Sequence, residues 1–137
     1  MLMERVRLTG AQSSLSTEYF SIAFDTRMKI VRAETIGFWT VPMVETYFRA
    51  LSDFRRLDPT GSRGIRILID KRKSPVYAQD VVQRIRELSD AFYGSADRVA
   101  SVMTTSLSKM QFRRTFGGEH MKAFLSISAA ETWLIGS

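Results

Sequence analysis

Gly64-Ile65-Arg66-Ile67-Leu68-Ile69-Asp70 holds four large aliphatic residues in seven positions, three of them consecutive, and runs into Lys71-Arg72-Lys73-Ser74-Pro75. A short unbroken apolar run rich in isoleucine is the pattern of a central strand covered on both faces. Gly61 and Gly64 bound it on one side, and a charged loop closed by proline bounds it on the other. Helical patterns flank it over 41–57 and 78–93. Helix, buried strand, helix predicts a sheet whose strands are joined by helical crossovers. Asp70 and the basic loop leave the C-terminal end of that strand, where open α/β sheets place their ligand sites.

Upstream of the first helix, Tyr19–Phe24 and Met28–Ile36 are two β-like runs separated by Asp25-Thr26-Arg27. A polar connector this short predicts an antiparallel hairpin. Residues 1–17 are mixed and polar, and are expected to form an adaptable leader with a short edge strand near Val6–Leu8, leaving 18–137 as a single domain. Thr40 is placed to cap the first helix, and Pro42 fits its first turn, where a missing N–H is harmless. Val44, Tyr47, Phe48, Leu51 and Phe54 then recur at helical spacing, and Asp58-Pro59-Thr60-Gly61 ends the run. In the second helix Val81, Val82, Ile85, Leu88 and Phe92 share a face, with Gly94 as its C-terminal stop. Arg98–Thr104 reads as a strand, and Leu107–Phe116 as a helix with Ser106 as its cap and Gly117-Gly118 as its end. Met121–Ile127 is a last strand. Ser128-Ala129-Ala130-Glu131 has the form of a capping box opening a terminal helix that buries Trp133 and Leu134. The fold class is therefore α/β, a mixed β-sheet flanked by helices in the order β-β-α-β-α-β-α-β-α. Right-handed crossovers would put most of the helices on one side.

A chain of 137 residues, 45% hydrophobic, is long enough to bury a core without covalent staples. It contains no cysteine, which excludes disulfides and thiolate metal sites and fits a reducing, cytoplasmic setting. No run has the length of a membrane span, and residues 1–17 lack the apolar core of a signal peptide. The net charge is +6, and 15 of the 20 basic residues are arginine. These charges are dispersed; the densest cluster is Lys71-Arg72-Lys73. A nucleic-acid footprint concentrates on one face or stripe, so nucleic acid is disfavoured as a partner.

Taken together, several of these segments resemble the SpoIIAA-like group of the STAS superfamily, also described as STAS/SEC14-like domains. The matching features are Gly37-Phe38-Trp39-Thr40 leading into an amphipathic helix and Arg66-Ile67-Leu68-Ile69-Asp70 as central strand. Arg98-Val99-Ala100-Ser101-Val102 follows a helix, and Phe124-Leu125-Ser126 precedes Ala129-Ala130-Glu131-Thr132-Trp133-Leu134. The resemblance spans about residues 19–135. It implies a bacterial, non-catalytic binding or switching module, with a protein partner or small-molecule ligand and a homodimeric state. Some relatives are anti-sigma-factor antagonists controlled by phosphorylation of a serine in an Asp-Ser-Ser/Thr-Gly-like stretch. This chain has no such stretch, and Ser74 stands only near its position. The SEC14-like side of the family implies a small apolar, lipid-like ligand held between sheet and helices.

The candidate ligand- or partner-binding residues are Asp70, Lys71, Arg72, Lys73, Ser74 and Tyr77 after the central strand, and Lys109 and Arg113 on the third helix. Lys71, Arg72 and Lys73 leading into a helix that starts near Ser74 would combine positive charge with free backbone N–H groups, a combination that favours anions. The same Ser74-Pro75 pair also suits a plain helix cap and first position. Lys109, Arg113 and Arg114 give the third helix a basic side fit for an acidic partner. His120 is the single histidine, beside Glu119 in a glycine-rich turn, and no nucleophile or orienting partner accompanies it. No cofactor or metal is expected, because divalent ions need clustered ligands. The aromatic residues, Phe38, Trp39, Tyr47, Phe48, Phe54, Phe92, Phe112, Phe116 and Trp133, fall mostly at core-facing positions.

Overall fold

Within the strand Arg66–Lys73, Ile67 and Ile69 belong to one apolar cluster and Leu68 to another. Successive strand residues face opposite sides, so this alternation defines a sheet with a packed layer on each face. The computed structural model describes residues 5–9, 12–57, 64–74, 76–116 and 118–136. Its seven strands are β1 (Arg5–Thr9), β2 (Gln12–Ser16), β3 (Phe20–Asp25), β4 (Ile30–Ile36), β5 (Arg66–Lys73), β6 (Arg98–Val102) and β7 (Met121–Phe124). The helices are α1 (Val41–Leu57), α2 (Gln79–Phe92), α3 (Ser106–Phe116) and α4 (Ile127–Ile135). The sheet follows sequence order from β1 to β7, antiparallel through β4 and parallel from β4 onward.

The mixed α/β sheet, the hairpin and the four helices agree with the sequence reading. The expected order is short by two strands: the edge strand expected near Val6–Leu8 is there as β1 but is not counted in that order, and Gln12–Ser16, inside the segment read as a leader, pairs with β1 on one side and β3 on the other. The reason is visible in β2. Its sequence, Gln-Ser-Ser-Leu-Ser, offers one apolar side chain, Leu15, which is buried opposite Ile22. Hydrophobic alternation is too sparse there to register as a strand. The sequence also ends β6 and β7 late: β6 stops at Val102 and β7 at Phe124.

The larger core lies on the face covered by α1 and α2. Val44, Tyr47, Leu51 and Phe54 from α1 and Val81 from α2 pack on Ile22, Val31, Ile67, Ile69 and Val99. Trp39 anchors one end, with its ring 5.5 Å from Tyr19, 5.3 Å from Tyr47 and 6.2 Å from Tyr77, all edge-to-face. Phe38, in contrast to the expectation for the aromatics, is exposed. Gly37, at φ +82, turns the chain so that Trp39 takes the inward direction. On the other face, α4 places Ala130 and Leu134 against Ile30, Leu68, Ala100 and Val102. Arg32 ties the sheet to α4, reaching Asp25 at the end of β3 at 2.9 Å and Glu131 on α4 at 2.5 Å.

Three helix starts differ from those expected. Ser126, not Ser128, caps α4, accepting the Ala129 N–H at 3.1 Å. Starting there brings Ile127 into the first turn, in phase with Ala130 and Leu134, and frees Glu131 to pair with Arg32. Thr105, not Ser106, accepts the Ser108 N–H at 3.0 Å at the head of α3. Ser74 caps nothing: α2 begins at Gln79 after Ala78, which makes no side-chain cap bond. Strand β5 continues to Lys73, so Ser74 directly follows the strand and the helix starts only at Gln79. The expected stop Asp58–Gly61, Pro75 and Gly117 lie outside the described residues.

Candidate ligand-binding cleft

Because β5 extends to Lys73, the phase that turns Ile67 and Ile69 toward the helices reaches Lys71 as well. Its Nζ lies 5.8 Å from the ring centre of Tyr77, 5.6 Å from Phe112 and 5.9 Å from Phe116. Aromatic faces at that distance attract a cation. No carboxylate among the described residues pairs with Lys71, and burial pulls its ammonium down to about 8.

Two adjoining spaces meet at this lysine. The outer one is a cleft of about 230 Å³ at the C-terminal ends of β5 and β6, roofed by α3 and bounded by Ser74, Val76 and Tyr77. Met103, Phe112, Phe116, Val82 and Val76 give it apolar walls, and Ser108, Gln111 and Thr115 give it a polar edge. The inner one is a chamber of about 30 Å³ between the sheet and helices α1, α2 and α3. Lys71, Tyr77, Phe112 and Phe116 line both.

The chamber is rich in hydroxyl groups. Tyr47 Oη, Tyr93 Oη and Ser101 Oγ are buried with no hydrogen-bond partner among the described residues. Burial raises the Tyr47 and Tyr93 phenols above their usual value, so both remain O–H donors. Thr35, Ser74 and Tyr77 form a hydroxyl cluster beside it: Thr35 bonds Ser74, and Ser74 Oγ lies 2.9 Å from Tyr77 Oη. The arrangement offers one cation, several neutral donors and aromatic walls.

The residues proposed from sequence separate. Lys71, Ser74 and Tyr77 meet at the cleft. Asp70 turns to the opposite face with Leu68, where it accepts the Arg72 N–H at 3.0 Å and pairs with the Arg72 guanidinium at 2.8 Å. That guanidinium holds the Asp70 carboxyl below its usual range. Lys73 pairs with Glu34 at 3.3 Å. The three consecutive basic residues thus form no common anion site at a helix start, because strand alternation sends Lys71 and Arg72 to opposite faces. Lys109 is half-buried and Arg113 exposed on α3, and neither lines the cleft. His120 sits in the turn before β7, where its carbonyl accepts the Val99 N–H at 2.8 Å.

The sequence pattern puts Tyr47, Phe112 and Phe116 in the core and marks none of Thr35, Tyr93, Ser101 or Met103 as a site residue. One signal was available. Val99 and Ser101 share a phase, as do Ala33 and Thr35 and as do Ile69 and Lys71. Each pair puts a polar side chain where a buried strand continues its apolar face.

The result is a mixed sheet with three crossover helices on one face, a fourth on the other and a cleft past the central strands. Comparison with solved structures gives it a SpoIIAA-like fold. The chain superimposes on the crystal structure of an uncharacterised protein of the DUF3478 family with a SpoIIAA-like fold, from Shewanella loihica PV-4, with a TM-score of 0.61. The match covers 97% of this chain and 93% of that one at 16% identity, so it establishes the fold. No family model matches the sequence, and no curated protein matches it. Among the described residues, no helix is long and apolar enough to cross a membrane.

Proposed function

We propose that this chain is a non-catalytic STAS-like binding module that takes a small, apolar-bodied molecule into the cleft beneath α3. The observation that supports it most is the cleft itself, about 230 Å³ with mainly apolar and aromatic walls around Lys71. Ligand sites of this kind combine apolar walls with a few placed polar groups. The position, just beyond the C-terminal ends of β5 and β6, is the usual one for an open α/β sheet. Among the described residues lining the cleft, Lys71 is the one charged side chain, and no histidine or carboxylate accompanies it.

Native mass spectrometry of protein purified from cells tests this reading, together with a thermal-shift screen of small aromatic and aliphatic compounds. Ligand binding should disappear in Ser108→Trp, whose indole fills the cleft from α3. Compounds that bind wild type and Ser108→Trp alike would place the site elsewhere.

A second reading rests on the rim. Val76 is 65% exposed, Leu107 63% and Met110 54%, and Lys109, Arg113 and Arg114 lie on the same helix as the last two. An apolar patch with basic neighbours suits an acidic protein partner docking on α3. Leu107→Ser with Met110→Ser would abolish such docking and leave small-molecule binding intact.

A further inference from the structure

We infer that the molecule held in the cleft is a small carboxylic acid, bound as its anion with the carboxylate on Lys71 and the apolar body under α3. The inference rests on the cleft reading above and adds the charge and size of the ligand. Three observations lead to it.

The first is charge. Of the described residues lining the cleft and the chamber, Lys71 alone carries a formal charge. Lys71 is half-buried; an ammonium partly withdrawn from water without a counter-ion is costly, and aromatic faces offset that cost in part. A carboxylate placed beside it supplies the missing charge as a short, charge-assisted hydrogen bond.

The second is hydrogen-bonding polarity. Tyr47 Oη, Tyr93 Oη and Ser101 Oγ line the chamber without partners among the described residues, and each carries a proton to donate. Buried polar groups left unmatched are rare in native proteins and call for an explanation. A group of neutral donors beside a cation, with no competing carboxylate in the lining, is complementary to an acceptor with several lone pairs. A carboxylate is such a group; an amine or a cationic ligand is not.

The third is size. An apolar cavity of roughly 150 Å³ holds a benzene ring. A cleft of about 230 Å³ beside a chamber of about 30 Å³ therefore takes one ring or a short branched chain, with its head group directed inward. A two-chain phospholipid does not fit that volume.

Calorimetry and thermal shift with phenylacetate, 3-phenylpropionate and hexanoate, each paired with its neutral amide, test the inference. At neutral pH, wild type should bind at least one acid about tenfold or more tightly than its amide, the preference expected of one charge-assisted contact. Lys71→Met should erase that preference while retaining the weak binding of the amide. Wild type also permits a test without substitution. Phenylacetate should protect Lys71 from reductive methylation, read by peptide mass spectrometry, and phenylacetamide should not. Equal affinity for acid and amide in wild type, or no protection of Lys71, would overturn the carboxylate assignment. If the amides still bound and Ser108→Trp removed them, the cleft would survive as a ligand site. If neither acids nor amides bound at millimolar concentration, both the assignment and the cleft reading would fall.

Discussion

Lys71 sits where a buried strand would ordinarily carry a third isoleucine, and the fold bears a cost for it. Burial lowers its pKa from 10.5 to about 8, so between those values the unfolded chain holds a proton that the folded chain has lost. Stability rises with pH wherever the unfolded state binds more protons. The penalty is therefore fully present below about pH 8 and relieved as pH climbs toward 10.5. Lys71→Met should stabilise the ligand-free protein at pH 7 by roughly 1–3 kcal/mol, with the gain shrinking by pH 10. Thermal unfolding of both proteins at the two pH values measures this; a destabilised Met variant would mean that cation–π contacts outweigh desolvation. The sequence showed Lys71 as a member of a basic loop. Its actual role depended on how far β5 runs, and strand ends are set by pairing with neighbours such as Ile36 opposite Lys73, which local pattern does not reveal.

At the scale of elements, the ends rather than the bodies of helices and strands carried the surprises. The apolar spacing of α1 matched its observed span, 41–57, because amphipathic periodicity is a long, redundant signal. The start of α4 was harder, since Ser126 and Ser128 are both competent caps and tertiary packing chose between them. Ser126→Ala should cost about 1 kcal/mol, whereas Ser128→Ala should be nearly neutral. Chemical denaturation of the two variants checks this; the reverse ranking would restore the capping box to Ser128. The entrance to β5 is fixed more tightly. Gly64 has φ +81, and a Cβ there would stand 2.3 Å from the Ala96 carbonyl oxygen. Beside it, Asp97 accepts N–H groups of Ile65 at 2.8 Å and Gly94 at 2.7 Å and pairs with Arg55 at 2.9 Å. Gly64→Ala should destabilise by about 2 kcal/mol or more, through both the positive φ and the clash. A variant with an unchanged denaturation midpoint would show that the Ala96 turn moves aside freely.

For the whole molecule, the seven-residue run at β5 predicted a strand covered on both faces, and Leu68 is 2% exposed between β5 and the α4 layer. Leu68→Asp should leave the protein unfolded or insoluble, because it buries an unpaired charge at a cost of several kcal/mol, on the order of the whole stability of a small domain. Recovery of a folded variant with native melting behaviour would contradict the two-layer packing. The alternation that fixes those layers also opens the cleft: past Ile69 the helix-facing positions turn polar, and α3 roofs the space they leave. Amide NMR spectra of wild type titrated with phenylacetate and phenylacetamide test whether this space holds a ligand. Saturable shifts are expected at Met103, Ser108, Gln111 and Thr115, with α4 residues from Ile127 to Ile135 unmoved. Shifts centred on α4 or the β1–β2 edge, or none with either compound, would contradict a ligand site in the cleft.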